Sequence, residues 1–181
     1  INSILLWNFK PAPHSPSSIT DEPPLFAFPN KRILVLIGIV ASAMLLEGVN
    51  QTWATIYMNE IFGPVPLLTG AAIIFFGLSQ ALTRYFVDEF VDRSSSEYVG
   101  KTLLSLLFIG TLIIFVSPFS LLSLLGFTLS GIGVSAIFPL AISAAAQHND
   151  RPAAINVASL AQVSLMVFLI GPPLLGSISQ T

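Results

Sequence analysis

The chain has 181 residues, 54% of them hydrophobic and only 9% charged, where a water-soluble domain carries about 25% charged residues. That composition excludes an ordinary soluble domain and leaves a membrane protein, whose first partner is the lipid bilayer. The net charge of −2, with no basic stripe, excludes a nucleic-acid partner, and the absence of cysteine excludes a disulfide frame or a thiolate metal site.

Residues 1–32 differ from the rest. They hold Pro11, Pro13, Pro16, Pro23, Pro24 and Pro29 among serines and acids. Prolines remove backbone donors and break helices, so this stretch reads as an extended linker. The patch Ile4-Leu5-Leu6-Trp7 is either the tail of a preceding membrane helix or a chance tetrad in the linker. The polar start, without a leading Met, and the end at Gln180-Thr181 point to a piece of a longer protein.

Five long apolar segments follow, at about 33–58, 66–86, 100–117, 120–146 and 153–178. Each is long enough to cross a bilayer at about 1.5 Å rise per residue. The first starts at Lys31-Arg32, whose long cationic side chains can snorkel to the headgroups. The second opens at Pro64 and Pro66 and closes with Arg84 and Asp88. The fifth is expected to kink or break at Gly171-Pro172-Pro173, where two successive prolines remove two helix hydrogen bonds; a kink that only shapes packing is the simpler form of that reading. The connections are short, so neighbours must run antiparallel, giving an all-α, up-and-down transmembrane helix bundle.

Charge sets the orientation. With five crossings the seven basic residues, Lys10, Lys31, Arg32, Arg84, Arg93, Lys101 and Arg151, all fall on one side. The positive-inside rule places that side, with the linker, in the cytoplasm. An odd number of crossings leaves the C-terminus outside, and one more helix would return it.

Chemistry is sparse at membrane depth. The histidines, His14 and His148, lie in predicted loops, so no Ser-His-Asp relay forms. No set of acids and histidines is available for a metal, and nothing in the sequence calls for a cofactor. Gly126, Gly131 and Gly133 are not a phosphate cradle, since no strand precedes them. Gly126, Ser130 and Gly133 repeat at near-helical spacing and form a small-residue face that lets membrane helices approach closely.

Glu47 is the exception. It lies inside an otherwise uncharged run, Ile33 to Met58, and a carboxylate at that depth costs roughly 3 kcal/mol on insertion scales. Asn50 and Gln51, three and four residues on, are expected on its face. With no basic residue at the same depth, burial favours the neutral acid, so Glu47 can bind and release a proton. It can instead hydrogen-bond a polar solute, or serve structure alone. Trp53 and Tyr57 lie nearer the outer end and read as interface anchors, Trp53 being close enough to stack on a ligand. Gln80 with Thr83, and Asn156 with Ser159 and Gln162, are further polar candidates; the amides cost most to bury unpaired.

The stretch Arg84-Tyr-Phe-Val-Asp88-Glu-Phe-Val-Asp92-Arg93 reads as a charged cytoplasmic loop. Its Asp92-Arg93 pair resembles the loop signature of the major facilitator superfamily, with serines at 94–96 where a glycine is usual. Glu47-Gly48 followed by Trp53-Ala54 and Tyr57 resembles helix seven of a sugar-permease-like bacterial branch, although Thr52 stands where an acid is usual. Gly131-Ile-Gly133-Val-Ser135-Ala-Ile-Phe138-Pro139-Leu140 is similar to helix ten there. Arg151-Pro152-Ala153-Ala154 and Gly171-Pro172-Pro173-Leu174 resemble the ends of helix eleven. The resemblance covers roughly residues 30–180.

It implies the second half of a twelve-helix permease, lacking its last helix and partnered by the N-terminal half of the same polypeptide. A bacterial inner membrane and alternating access follow from it, with a small solute and a proton as cargo. Glu47 would be the proton-responsive group or solute contact. Asn50, Gln51, Trp53, Gln80, Asn156 and Gln162 would line the site, and Asp88, Asp92 and Arg93 would form a cytoplasmic charge latch. A non-transporting membrane scaffold or sensor on the same fold is the main alternative. An intramembrane enzyme is disfavoured by the missing nucleophile and metal set.

Overall fold

The computed structural model describes residues 28–178, without the side chains of Pro172, Leu175 and Ile178. Most of the linker, with Ile4–Trp7, lies outside the described residues. Six helices follow in chain order: α1 (Lys31–Phe62), α2 (Pro66–Arg93), α3 (Ser96–Val116), α4 (Ser120–Val134), α5 (Ile137–Ala146) and α6 (Ala153–Ile178). Among the described residues there is no strand. The α4–α5 pair acts as one crossing, which makes five segments long and apolar enough to span a bilayer. The protein is a multi-pass, all-α membrane protein.

Local chemistry explains most boundaries. Asn30 caps α1, its side-chain oxygen accepting from the Ile33 N–H at 2.8 Å. Gly63 ends α1 with φ +86, a left-handed conformation that costs glycine little. Pro66 opens α2 where a missing donor removes no helix bond. Ser95 caps α3 by accepting from the Tyr98 N–H at 3.2 Å.

Three expectations change. The charged stretch 84–93 is the last part of α2, not a loop. It contains no glycine or proline, and Val87 and Val91 turn inward one helical turn apart, so the connection shrinks to Ser94-Ser95. The fifth segment, expected to kink or break, runs without a break through Gly171-Pro172-Pro173. The absent donors of Pro172 and Pro173 free only the Phe168 and Leu169 carbonyls, and helix continues on both sides. The break falls in the fourth segment, at Ser135-Ala136 between α4 and α5. Pro139 lies four residues beyond Ser135 and has no N–H to return to that carbonyl.

The buried hub is α4. About 61% of the fourth span's apolar stretch is buried, against 22–33% in the others. Helices in lipid associate through close packing and interhelical hydrogen bonds, not hydrophobic exclusion. A Cβ at Gly133 would lie 2.4 Å from the Leu107 nitrogen of α3, and one at Gly131 2.3 Å from the Phe76 oxygen of α2. Ser79 of α2 lies 3.0 Å from the Thr128 carbonyl of α4. On the other flank α1 packs against α6, with Gly171 tight on Leu45.

Tyr57 is not an interface anchor. Its hydroxyl donates to the Ile114 carbonyl at 2.7 Å and lies 3.2 Å from the Ser123 hydroxyl. Its ring meets Phe127 edge-on with centroids 6.0 Å apart. One side chain thus ties α1 to α3 and α4.

Candidate functional site

Glu47 stands midway along α1 and Gln80 midway along α2. The two helices run antiparallel, so both reach the same level of the bundle. The Gln80 amide, itself buried, donates to Glu47 Oε1 at 2.6 Å. Gln51, one turn along α1, offers its amide to the same oxygen at 3.3 Å. Arg84 Nη2 approaches that oxygen to 3.6 Å. Three donors from two helices converge on one carboxylate oxygen.

The Arg84 contact corrects the expectation that Glu47 lacks a basic partner. Arg84 lies one turn beyond Gln80, and its Cα is nearer the basic end of the bundle. Helical side chains tilt toward their own N-terminus. The N-terminus of α2 is at the opposite end, so the guanidinium leans back to the level of Glu47, a span of about 5.4 Å along the axis. Counting depth by position in the sequence overlooks that reach.

Arg84 has a second, firmer contact. Its Nε donates to the Ser135 carbonyl at 2.8 Å. This is the carbonyl that Pro139 leaves without its helical donor. A broken membrane helix needs its freed backbone groups satisfied, and here the guanidinium does it. Arg84 therefore joins the acid of α1 to the break between α4 and α5. Ser135 itself is fully buried, and its hydroxyl donates to the Ile132 carbonyl at 2.6 Å.

The pair is unevenly covered. The Glu47 side chain is 16% exposed and that of Arg84 54%. Charged residue types at bilayer depth almost always face protein or a water-filled space, and the exposed part of Arg84 marks the open side of this cluster.

Not every candidate joins this cluster. Successive helical residues are about 100° apart, so Asn50 and Trp53 rotate away from Glu47 on the side opposite Gln51. The Asn50 amide donates to the Leu46 carbonyl of its own helix at 2.9 Å. Asn50 and Trp53, with Tyr57, Ile114 and Phe127, line a small apolar cavity of about 200 Å³. Asn156 is buried at the basic end of the bundle, where its amide donates to the His148 carbonyl and to Asp150 Oδ1, both at 3.2 Å. It organises the α5–α6 loop and is not placed beside Glu47. Its hydrogen bond holds the Asp150 carboxyl below the usual carboxylate range. Gln162 is half-buried on α6.

The charge latch also takes another form. Asp88 and Asp92 are exposed on the last turns of α2, and Arg93 pairs with Glu89 one turn back on its own helix. The signal that could have found Arg84 and Ser135 was two spacings of four: Gln80 to Arg84, and Ser135 to Pro139.

Known proteins were compared with the chain. It is 30% identical over 160 residues to an uncharacterized MFS-type transporter of Yersinia pestis, a match covering 87% of this chain and 41% of that protein. It is 31% identical over 150 residues to an uncharacterized transporter of Sinorhizobium fredii, covering 81% of this chain and 39% of that protein. The chain spans about two-fifths of the length of these curated relatives. No family model matches it, and no solved structure matches it significantly.

Proposed function

Since the chain belongs to the major facilitator superfamily, we propose that it is the C-terminal part of a bacterial inner-membrane secondary transporter that moves a small polar solute with protons by alternating access. Its relatives are more than twice its length, which leaves room for the other half of a two-part pathway. The observation that carries this reading is the cluster at Glu47, Gln80 and Arg84, halfway along the spans and open on one side.

Its chemistry suits proton coupling. Ionised Glu47 attracts Arg84 and accepts from Gln80. A proton on Glu47 cancels the attraction, because an ion pair becomes a cation beside a neutral acid. The guanidinium stays tied to Ser135 through Nε but is freed on its Nη side. The proton thus changes the hold of α2 on α1 while the contact with the α4–α5 break persists. That is a local charge change able to bias two packings of the helices.

Uptake by the full-length transporter in proteoliposomes tests this. A pH gradient, acid outside, should drive accumulation of the cargo. Glu47→Gln keeps the Gln80 contact but cannot titrate. It should lose gradient-driven accumulation while retaining solute exchange. Unchanged coupling in that variant removes Glu47 from the mechanism.

A further inference from the structure

The open side of Arg84 says something about the cargo, given the transporter reading above. A guanidinium has five N–H bonds in a planar fork. The Nε hydrogen is held by the Ser135 carbonyl at 2.8 Å, and Nη2 faces Glu47 Oε1 at 3.6 Å. The remaining N–H groups lie on a side chain that is 54% exposed. They are fixed in place, because Nε anchors the plane to a buried backbone group. Gln51, also exposed, stands on the same side of Glu47.

We infer that the cargo carries a single carboxylate, which docks on the Nη edge of Arg84 when Glu47 is protonated. With Glu47 ionised, the pair is neutral and Arg84 is engaged. One proton on Glu47 leaves the positive charge of Arg84 without a partner on this chain. One carboxylate restores neutrality, and its two oxygens match the guanidinium fork. The step balances as a proton transfer and a ligand exchange: hydronium on the acid side gives its proton to Glu47 and becomes water, and the carboxylate takes the place of water on Arg84. Proton and carboxylate then favour each other's binding by the same factor, since coupling between sites is reciprocal. A cationic cargo would meet the exposed guanidinium first and be repelled. A neutral one would leave the charge unanswered, and a dicarboxylate would bring one negative charge too many.

The test uses the full-length transporter in proteoliposomes with an acid-outside gradient. The probes are a monocarboxylate series from acetate and lactate to benzoate, with succinate, glucose and choline beside it. Accumulation of at least one monocarboxylate above its level in protein-free vesicles, where protonated weak acids enter unaided, and no accumulation of the other three, is the expected result. Arg84→Gln should abolish it. Arg84→Lys keeps the cation for the Ser135 carbonyl but lacks the fork. It should fold and raise the KM for that carboxylate about tenfold or more, a loss on the scale of one charged hydrogen bond. Accumulation of succinate, glucose or choline with no monocarboxylate moved would overturn the inference and leave proton-coupled transport standing. No probe accumulating under any gradient would overturn the inference, and the transporter reading would fall with it only if Glu47→Gln also left every gradient-driven uptake of the full-length protein unchanged.

Discussion

The glycine seam between α4 and its neighbours and the polar strip between α1 and α2 join helices by opposite means. In the seam, side chains are removed so that backbones touch: a Cβ at Gly133 would lie 2.4 Å from the Leu107 nitrogen, and one at Gly126 2.9 Å from the Gly110 oxygen. In the strip, long side chains cross the gap: Gln80 and Arg84 both reach Glu47. A seam of backbone contacts cannot slide by a fraction of an ångström without clash. A strip of long side chains can exchange partners with water, a proton or cargo while the helices stay close. The lesson is that the rigid and adjustable parts of this bundle can be told apart by side-chain length at the contact. If the proposed transport reading holds, rocking motions are expected at the strip, with α2, α3 and α4 moving as one unit.

The largest expected effect breaks the seam. Gly133→Val drives two methyl groups into the Leu107 backbone, which has no rotamer to yield. Overpacking of this kind costs about 1–3 kcal/mol, and a backbone clash belongs at the upper end. Gly70 is helical too, but nothing lies within 4 Å of its Cβ position. Gly70→Val should leave the melting temperature of the purified protein nearly unchanged while Gly133→Val lowers it by many degrees. Equal effects would show that the seam is not the rigid element.

The next effect probes how the strip is tied to the break. Arg84 supplies the Ser135 carbonyl with the donor that Pro139 lacks. Pro139→Ala restores a backbone N–H able to reach that carbonyl. A double-mutant cycle of Arg84→Gln with Pro139→Ala should then show a coupling of about 1 kcal/mol, the usual scale for interacting residues. Removing Arg84 should destabilise the wild-type background more than the Pro139→Ala background. Simple additivity would mean that the guanidinium is not what satisfies the break.

How much of this was legible in the sequence follows from the same contrast. The five spans were legible because each is an apolar run interrupted by charge or proline. The seam was legible because Gly126, Ser130 and Gly133 need only their spacing to be read. The strip was half legible: Glu47, Gln51 and Gln80 could be picked as polar groups at depth. Arg84 could not, since its level is set by side-chain tilt and reach. Asn50 and Asn156 were misplaced for a related reason. Residue type says that an amide needs a partner, not that Asn50 finds it in Leu46 of its own helix and Asn156 in the loop at His148 and Asp150. Prolines misled in the same way. Pro172 and Pro173 leave α6 helical, whereas single Pro139 coincides with a break because Arg84 is there to satisfy the freed carbonyl.

A smaller effect belongs to the clamp that joins the two regions. Tyr57→Phe keeps the ring against Phe127 but deletes the hydroxyl that meets Ile114 and Ser123. Interhelical hydrogen bonds in membranes contribute about 0.6 kcal/mol on average and up to about 1.7 kcal/mol. A cost near 1 kcal/mol in reversible unfolding from mixed micelles is expected, since Tyr57 gives the Ile114 carbonyl the donor that Pro118, four residues on, cannot supply. Transport coupling should be unaffected, because Tyr57 touches neither Glu47 nor Arg84.

The smallest effect concerns the far end of α2. The Arg93–Glu89 pair is exposed on both sides, 75% and 60%, and one turn apart on one helix. Such pairs contribute only about 0.3–0.5 kcal/mol and are screened by salt. Arg93→Ala should therefore shift the melting temperature by a degree or so, less at high ionic strength. The contrast with Arg84 is one of surroundings, since both arginines lie on α2 and each faces a glutamate. Arg84 also holds a buried carbonyl beside a helix break, which solvent cannot easily do in its place. If Arg93→Ala instead abolished uptake while leaving stability intact, the residue would be making a contact outside this chain. The latch expected of Asp88, Asp92 and Arg93 would then be formed with the other half of the transporter.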